Sequence, residues 1–211
     1  MRKIAAAALL TLLASFTAGP AVAAVVHPGT GSMAPRYLMV PGSADAPGLG
    51  RVVRYSVEIE RGLSVSPELF AAWVHRILND PLGWGRGGRT IRFVRVDSGP
   101  VDVRVSLSTP ALTDRECAPL RTYGQVSCYN HGRAVINADR WLQGSPTYGP
   151  DLRDYRFYLI SHEVGHSLGH HHVHCPYPGA PAPVMEQQTK SLEGCRPNWL
   201  PYGGGPATAL G

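Results

Sequence analysis

The sequence predicts an α+β domain in which a mixed β-sheet packs against a backing helix and a second, buried helix. Three patterns lead to this fold class. Apolar and polar residues alternate in several short segments, as is typical of half-buried strands. Helical periodicity over 66–78 places apolar residues on one face, as expected of a helix that backs a sheet. Over 151–168 the apolar residues surround most of the predicted helix, which favours burial on most of its sides.

The first predicted strand covers 52–60, and the backing helix follows it. Serine caps free backbone N–H groups, so this helix is expected to begin at Ser66. Pro67 suits a first helical turn, and Glu68 favours the positive end of the helix dipole. The predicted apolar face consists of Phe70, Trp73, Val74, Ile77 and Leu78.

Two further strands are predicted over 89–96 and 101–107, joined by a turn at 97–100. Residues 110–132 are expected to form a loop with a short strand near its end, and a strand over 133–137 precedes the second helix. This order of strand, helix, strands and helix gives the α+β layout with a mixed sheet.

The totals indicate one domain with a basic surface. A chain of 211 residues with 44% hydrophobic residues can form one core of ordinary size. The net charge of +5 is interpreted as a basic soluble surface, with attraction to an acidic surface or an anionic cell envelope as the alternative. Because no basic run is interleaved with aromatic residues, no nucleic-acid partner is expected.

The first 23 residues have the pattern of a secretory signal peptide. Basic residues precede a short apolar run at 4–16, and small residues at 21–23 suit a cleavage site. The apolar run is too short for a confident membrane span and no later stretch is apolar enough, so no stable membrane insertion is expected. The protein is therefore predicted to be secreted, as a monomer that starts near Ala24.

The rest of the chain is divided by composition. A Gly/Pro-rich linker or arm is predicted over 24–50, the folded domain over 51–201 and a disordered tail over 202–211.

Four cysteines in an exported chain suggest two disulfides, for which three pairings exist. The favoured pairings are Cys117 with Cys128 and Cys175 with Cys195, because each closes a short local loop. Cysteine ligation of zinc is the weaker alternative, since the sequence has no C-x-x-C pair.

Residues 162–172 read HEVGHSLGHHH, which fits the pattern HExxHxxGxxH. His162 and His166 lie four residues apart on the predicted helix, so both can bind one zinc ion from the same face. Glu163 can reach a water molecule at the metal without being a ligand. Gly169 suits the helix end, because glycine takes the left-handed conformation there without steric cost. The chain can then return His172 as a third ligand, which leaves the open position of a catalytic zinc site.

This pattern resembles the signature of the metzincin zinc peptidases. The resemblance implies a metzincin-like zincin domain with one Zn²⁺ per chain, bound by His162, His166 and His172. It also implies that Glu163 is the general base and that a methionine turn lies beneath the metal, with Met185 as its methionine.

The wider pattern is similar to a family of secreted proteins from high-GC Gram-positive bacteria, over about 52–201. Many metzincins have a tyrosine two residues after the turn methionine; Gln187 stands here instead, so no tyrosine ligand is expected. Gln187 and Gln188 could donate hydrogen bonds near the cleft, and the preferred interpretation is that they are surface residues. In metzincins an edge strand before the active helix pairs with the substrate. The strand over 133–137 is the candidate, with an ordinary interior strand as an equal alternative.

The expected function is that of a secreted zinc metalloendopeptidase acting on a peptide or protein substrate. Two alternatives keep the metal site: a catalytically silent zinc-binding module for a peptide or cell-wall partner, and an amidase acting on wall peptides. A third alternative is metal capture by the histidines of 170–174, which predicts several metal ions per chain.

Overall fold

The computed structural model describes residues 36–202. The predicted signal peptide, the first part of the predicted linker and the predicted tail after Tyr202 lie outside the described residues. The six described strands are β1 (Tyr37–Met39), β2 (Arg51–Glu60), β3 (Ile91–Arg95), β4 (Val103–Ser108), β5 (Cys128–Asn130) and β6 (Arg133–Asn137). The described α-helices are α1 (Pro67–Leu78), α2 (Pro110–Cys117), α3 (Ala138–Gln143) and α4 (Leu152–Ser167). A short 3₁₀ helix covers Pro146–Tyr148.

The strands form one mixed sheet with the order β1-β2-β4-β6-β5, and β3 pairs with β2 away from this path. Strands β3 and β4 are both parallel to β2, and β6 is parallel to β4. Strands β1 and β5 pair antiparallel with β2 and β6. The predicted α+β class with a mixed sheet is therefore confirmed.

Both predicted helices are present and pack into one apolar core with the sheet. Helix α1 begins after Ser66, whose hydroxyl accepts a hydrogen bond from the Leu69 N–H at 3.2 Å. Helix α4 begins after Asp151, which caps it by accepting a hydrogen bond from the Asp154 N–H at 3.0 Å. From Tyr155 to Val164 of α4, every residue except Arg156 is buried, as the nearly continuous apolar pattern predicted. A helix held in this way is a rigid platform for the side chains near its end.

Strand β6 is an interior strand, so its interpretation as a substrate-pairing edge was wrong. It lies between β4 and β5, and β5 is the strand at the end of the sheet order. His131 and Gly132 join β5 to β6 with φ values of +46° and +75°. Two consecutive positive φ values suit a tight hairpin, which lets the three residues before the turn pair with β6. Sequence reasoning placed a short strand here without recognising this hairpin.

The linker predicted over 24–50 is wrong in its described part, 36–50. Strand β1 pairs with the end of β2, and Val40 is only 1% exposed in the core. Ala44 forms an isolated antiparallel bridge with Arg95. The Gly/Pro-rich composition predicted a loop, but three residues of strand and a few contacts anchor this segment to the sheet. Tyr202, predicted to begin the tail, donates a hydrogen bond to the Trp84 carbonyl at 3.0 Å.

Helix α2 replaces part of the loop predicted over 110–132. Pro110 occupies its first turn and the Thr109 hydroxyl accepts a hydrogen bond from the Leu112 N–H at 3.2 Å. The helix has only eight residues and few apolar ones, so it gave no periodic signal. Within 36–202, none of the helices has the length and apolarity needed to cross a membrane.

Candidate metal centre

Helix α4 carries His162, Glu163 and His166 in its last two turns. The helix ends at Ser167, and Gly169 follows with a φ of +93°. The Gly169 N–H donates a hydrogen bond to the His166 carbonyl at 3.0 Å. A residue with a side chain is strained at such a φ, so glycine serves the sharp turn that was predicted for it. The chain then reverses and brings His172 back to the helix.

The imidazoles of His162, His166 and His172 converge on one point. The Nε2 atom of His172 lies 3.3 Å from that of His162 and 3.1 Å from that of His166. Two nitrogens bound to one tetrahedral zinc ion, at about 2.0–2.1 Å each, are separated by roughly 3.3 Å. The three side chains therefore have the spacing that one such ion requires.

The neighbouring histidines of the turn have other contacts. The His170 ring stacks on Trp84 with 4.3 Å between ring centroids, and its carbonyl accepts a hydrogen bond from His166. His174 lies 3.0 Å from the Glu193 carboxylate. Among the described residues, the group of ligand atoms that includes His162 and His166 contains His172 and no other histidine. The structure thus selects the same third histidine as the spacing of the motif.

Backbone carbonyls fix the tautomers of the two helical histidines. His162 Nδ1 donates to the Val184 carbonyl at 2.8 Å, and His166 Nδ1 donates to the His170 carbonyl at 2.8 Å. A carbonyl only accepts, so each Nδ1 must carry the hydrogen of its ring. In a neutral ring the lone pair is then on Nε2, the atom that faces the shared point.

Burial favours the neutral form, which is the form that binds metals, in all three rings. It lowers the pKa of His162 to about 3, and it also lowers the pKa of His166 and of His172. At least two lone pairs therefore point at one position, where a cation would relieve their repulsion. The residues fit a zinc ion on this ground. The same donor set also suits copper, nickel or iron, so it favours a transition metal without naming one.

Glu163 lies beside the histidines and lines the same cleft. Its side chain is only 5% exposed, and burial raises the pKa of its carboxyl to about 8, an effect that the positive charge of Lys190 partly opposes. A buried carboxyl whose pKa lies near neutrality can both accept and return a proton. It is not part of the ligand group formed by the three histidines, which matches the separate role predicted for it.

Met185 packs directly beneath α4, where the sequence predicted the methionine turn. Val184, the residue before it, accepts the hydrogen bond from His162, and the Met185 carbonyl accepts one from the Val173 N–H at 3.2 Å. A Cβ atom placed on Gly165 would lie 2.6 Å from Met185 Sδ and 3.0 Å from Trp84 Cζ2. Sequence reasoning assigned no role to Gly165, although a glycine inside a helix is a signal of close packing.

Gly165→Ala is expected to weaken metal binding and to destabilise the fold by about 1–3 kcal/mol, because the added methyl displaces Met185. Helix propensity alone predicts the opposite change, an increase of about 1 kcal/mol in the free energy of unfolding, because alanine favours a helix more than glycine does. Chemical unfolding and zinc competition would measure both effects. Met185→Ala removes the clashing sulfur and serves as the control, so Gly165→Ala should cost much less in that background. An equal cost in both backgrounds would contradict the packing explanation.

Both favoured disulfides are present, Cys117–Cys128 and Cys175–Cys195. The first joins the end of α2 to β5. The second joins the segment after His172 to the segment after Met185. Glu186 lies close enough to Cys175 and Cys195 to resemble a second metal group, but the two sulfurs are bonded to each other and offer no thiolate.

Replacing Cys175 and Cys195 together by serine is expected to cost about 3 kcal/mol of stability, as for other loops of this length. It should also weaken zinc binding, because this disulfide braces the floor of the site. The matched control is the double serine variant of Cys117 and Cys128, whose disulfide closes a sequence separation of 11 where the other disulfide closes 20, and joins α2 to β5. Comparable stability losses with unequal zinc affinities are expected; equal zinc affinities would contradict the bracing role.

An open cleft of about 480 Å³ lies in front of the three histidines. Two segments away from the helix line this cleft. The first is the loop that leads into β5, within 120–129, and the second contains Gln187, Thr189 and Lys190. Gln187 therefore faces the cleft.

Gln188, interpreted from sequence as a surface residue, is fully buried, where it accepts a hydrogen bond from the Tyr148 hydroxyl at 2.9 Å. Isolated polar residues in a loop gave no sign of this burial.

Comparison with known proteins gives one family match. The family model described as "Protein of unknown function (DUF3152)" matches residues 26–197, which is more than half of the chain. The matched range includes the three histidines, Glu163 and Met185. No curated protein matches the chain. The family description names no activity, so function must be argued from the chemistry of the site.

Proposed function

We propose that this chain, which belongs to the DUF3152 family of proteins of unknown function, is a secreted zinc-dependent peptidase of metzincin type. One observation carries the proposal: three imidazoles converge beside a buried carboxyl that is not among them. A structural zinc site would need a fourth protein ligand, whereas three ligands beside a free acid–base group are typical of hydrolytic zinc sites.

In this proposal His162, His166 and His172 hold the ion and Glu163 moves the proton. A zinc ion bound there would supply Lewis-acid activation of a water molecule and of the scissile carbonyl. Glu163 takes a proton from the attacking water and delivers it to the leaving amine. Burial raises the pKa of Glu163 to about 8, which makes its carboxylate a stronger base toward water than an exposed glutamate, and a pKa near neutrality still allows the acid to give the proton up.

The cleft offers room and an edge for an extended peptide. Within the described sheet β5 pairs with β6 alone, so its other side has free backbone groups for a substrate strand. Residues 127–129, at the start of β5, line the cleft beside the histidines. We therefore assign to β5 the substrate-pairing role that the sequence had suggested for the strand after it.

Secretion is part of the same proposal. It rests on the signal-peptide pattern of the first 23 residues and on two disulfides, which persist in oxidising compartments.

Two alternative functions keep the metal site and differ in chemistry. A silent zinc-binding module needs no proton carrier, and a wall-peptide amidase uses the same residues on a different amide. Capture of several ions is disfavoured, because His170 and His174 have contacts of their own.

A peptide library incubated with the purified protein and read by mass spectrometry tests the proposal. Zinc content is measured in the same sample, and the assay is repeated after chelation and after zinc is returned. Cleavage that disappears and returns with about one zinc per chain supports the peptidase. A protein that holds zinc and cleaves no peptide would favour the binding module, and release of wall peptides alone would favour the amidase.

A further inference from the structure

Two positive residues line the cleft. Arg121 belongs to the loop that leads into β5, and Lys190 follows Gln187 and Thr189, which also line the cleft. Glu163 is the single carboxylate among the described residues that line the cleft, and its role in the proposed reaction is to carry a proton. The space in front of the metal therefore has an excess of positive charge, to which a bound divalent ion would add.

Neither cation is engaged by the fold. Within 36–202, neither Arg121 nor Lys190 has an ion pair or a side-chain hydrogen bond. By contrast, Arg133 forms ion pairs with Glu58 at 3.1 Å and with Glu116 at 2.9 Å. The carboxylates that pair with Arg133 belong to the domain itself, whereas the two cleft cations are free to meet a carboxylate from outside.

The segment that carries Lys190 is held in place. Its N–H donates a hydrogen bond to the Gln187 carbonyl at 2.9 Å. The preceding Thr189 is bound through its carbonyl by Ser145 at 3.1 Å and through its hydroxyl by Tyr155 at 3.0 Å. Lys190 lines the same cleft as Glu163 and His172. Lys190 is therefore positioned near the reacting groups.

The segment that carries Arg121 is held as firmly. The Cys117–Cys128 disulfide closes this loop. The next residue, Thr122, is buried and donates a hydrogen bond to Asp114, which also accepts one from the Gly124 N–H at 2.7 Å. Asp114 is thus occupied by the loop itself, and Arg121 projects from a fixed backbone.

We propose that the cleft selects acidic peptides, with Lys190 and Arg121 each attracting a carboxylate close to the scissile bond. This inference rests on the proposed peptidase function and names its substrate class. An ion pair in a solvent-exposed cleft is worth about a fivefold preference at most, so two cations that each meet a carboxylate give about 25-fold at most. Because water and salt reach the cleft, added salt should reduce the preference.

The test compares three otherwise identical peptides with Glu, Gln or Lys next to the cleaved bond. The expected order of kcat/KM is Glu, then Gln, then Lys, with about fivefold between Glu and Gln. Lys190→Glu and Arg121→Glu should each reduce or reverse this order, measured within each variant as the ratio of kcat/KM for the Glu peptide to kcat/KM for the Gln peptide. Arg89, an exposed cation outside the cleft lining, is the control: Arg89→Glu should leave the order unchanged.

Binding of the same labelled peptides to the zinc-loaded Glu163→Gln protein separates the two proposals, since it needs no hydrolysis. Charge-selective binding without cleavage by the wild-type protein would overturn the peptidase and keep the acidic ligand class. Cleavage with equal kcat/KM and equal affinity for the three peptides would overturn the acidic preference alone. Loss of the preference in Arg89→Glu as well would also overturn it, because the effect would then come from overall charge.

Discussion

Glu163→Gln is expected to reduce kcat/KM for a cleaved peptide by about 10²–10⁴-fold while zinc stays near one per chain. Glutamine has almost the same shape as glutamate but cannot take a proton from water. The carboxyl is buried beside the histidines and is not one of the converging ligands, so the substitution should leave the metal in place. Purified protein would be assayed on one peptide, with zinc measured in the same preparation.

The control for Glu163→Gln is the same exchange at Glu68, an exposed residue in the first turn of α1. Glu68→Gln should keep wild-type activity and zinc content. Activity of zinc-loaded Glu163→Gln within about twofold of the wild type would contradict the proton-transfer role. Loss of activity together with zinc would instead indicate that Glu163 supports the metal site itself.

His172→Ala should weaken zinc binding by more than the 10–100-fold that loss of an outer partner of a metal ligand costs. The residue contributes the third nitrogen, and its removal leaves two ligands on α4. The matched control is His171→Ala, because His171 is also exposed and also lines the cleft but lies outside the group of ligand atoms. Competition with a chromogenic chelator at fixed pH would give both affinities. Equal losses in the two variants would argue for a diffuse histidine cluster.

The convergence of the three histidines was predictable because it is local. Four-residue spacing on a helix places His162 and His166 on one face, and the glycine at the helix end allows the return of His172. These relations depend on geometry within eleven residues. The two disulfides were predictable for a similar reason, since each closes a short loop.

The parts that failed depend on pairing between distant segments. Whether β6 is interior or at an edge depends on β5 folding back through a tight turn, and strand β1 depends on contacts with β2 about 20 residues later in the chain. The burial of Gln188 depends on Tyr148, on a separate element. A pattern within a short stretch of sequence does not indicate which distant segment that stretch will pair with or be covered by. In the sequence, Lys190 and Arg121 look like any other exposed cations. Only the folded chain brings both of them to the same cleft.

The three converging histidines lie within a span of eleven residues. An ion bound there would link the end of one helix to the turn that follows it. The loop closed in this way is very short, so its closure would restrict the unfolded chain little and add little to the stability of the fold. The sheet, the apolar core and the two disulfides hold the domain independently of that link. Demetallation should therefore loosen the turn at 168–172 and leave the rest folded, so that the ion can be removed and returned as a reversible ligand.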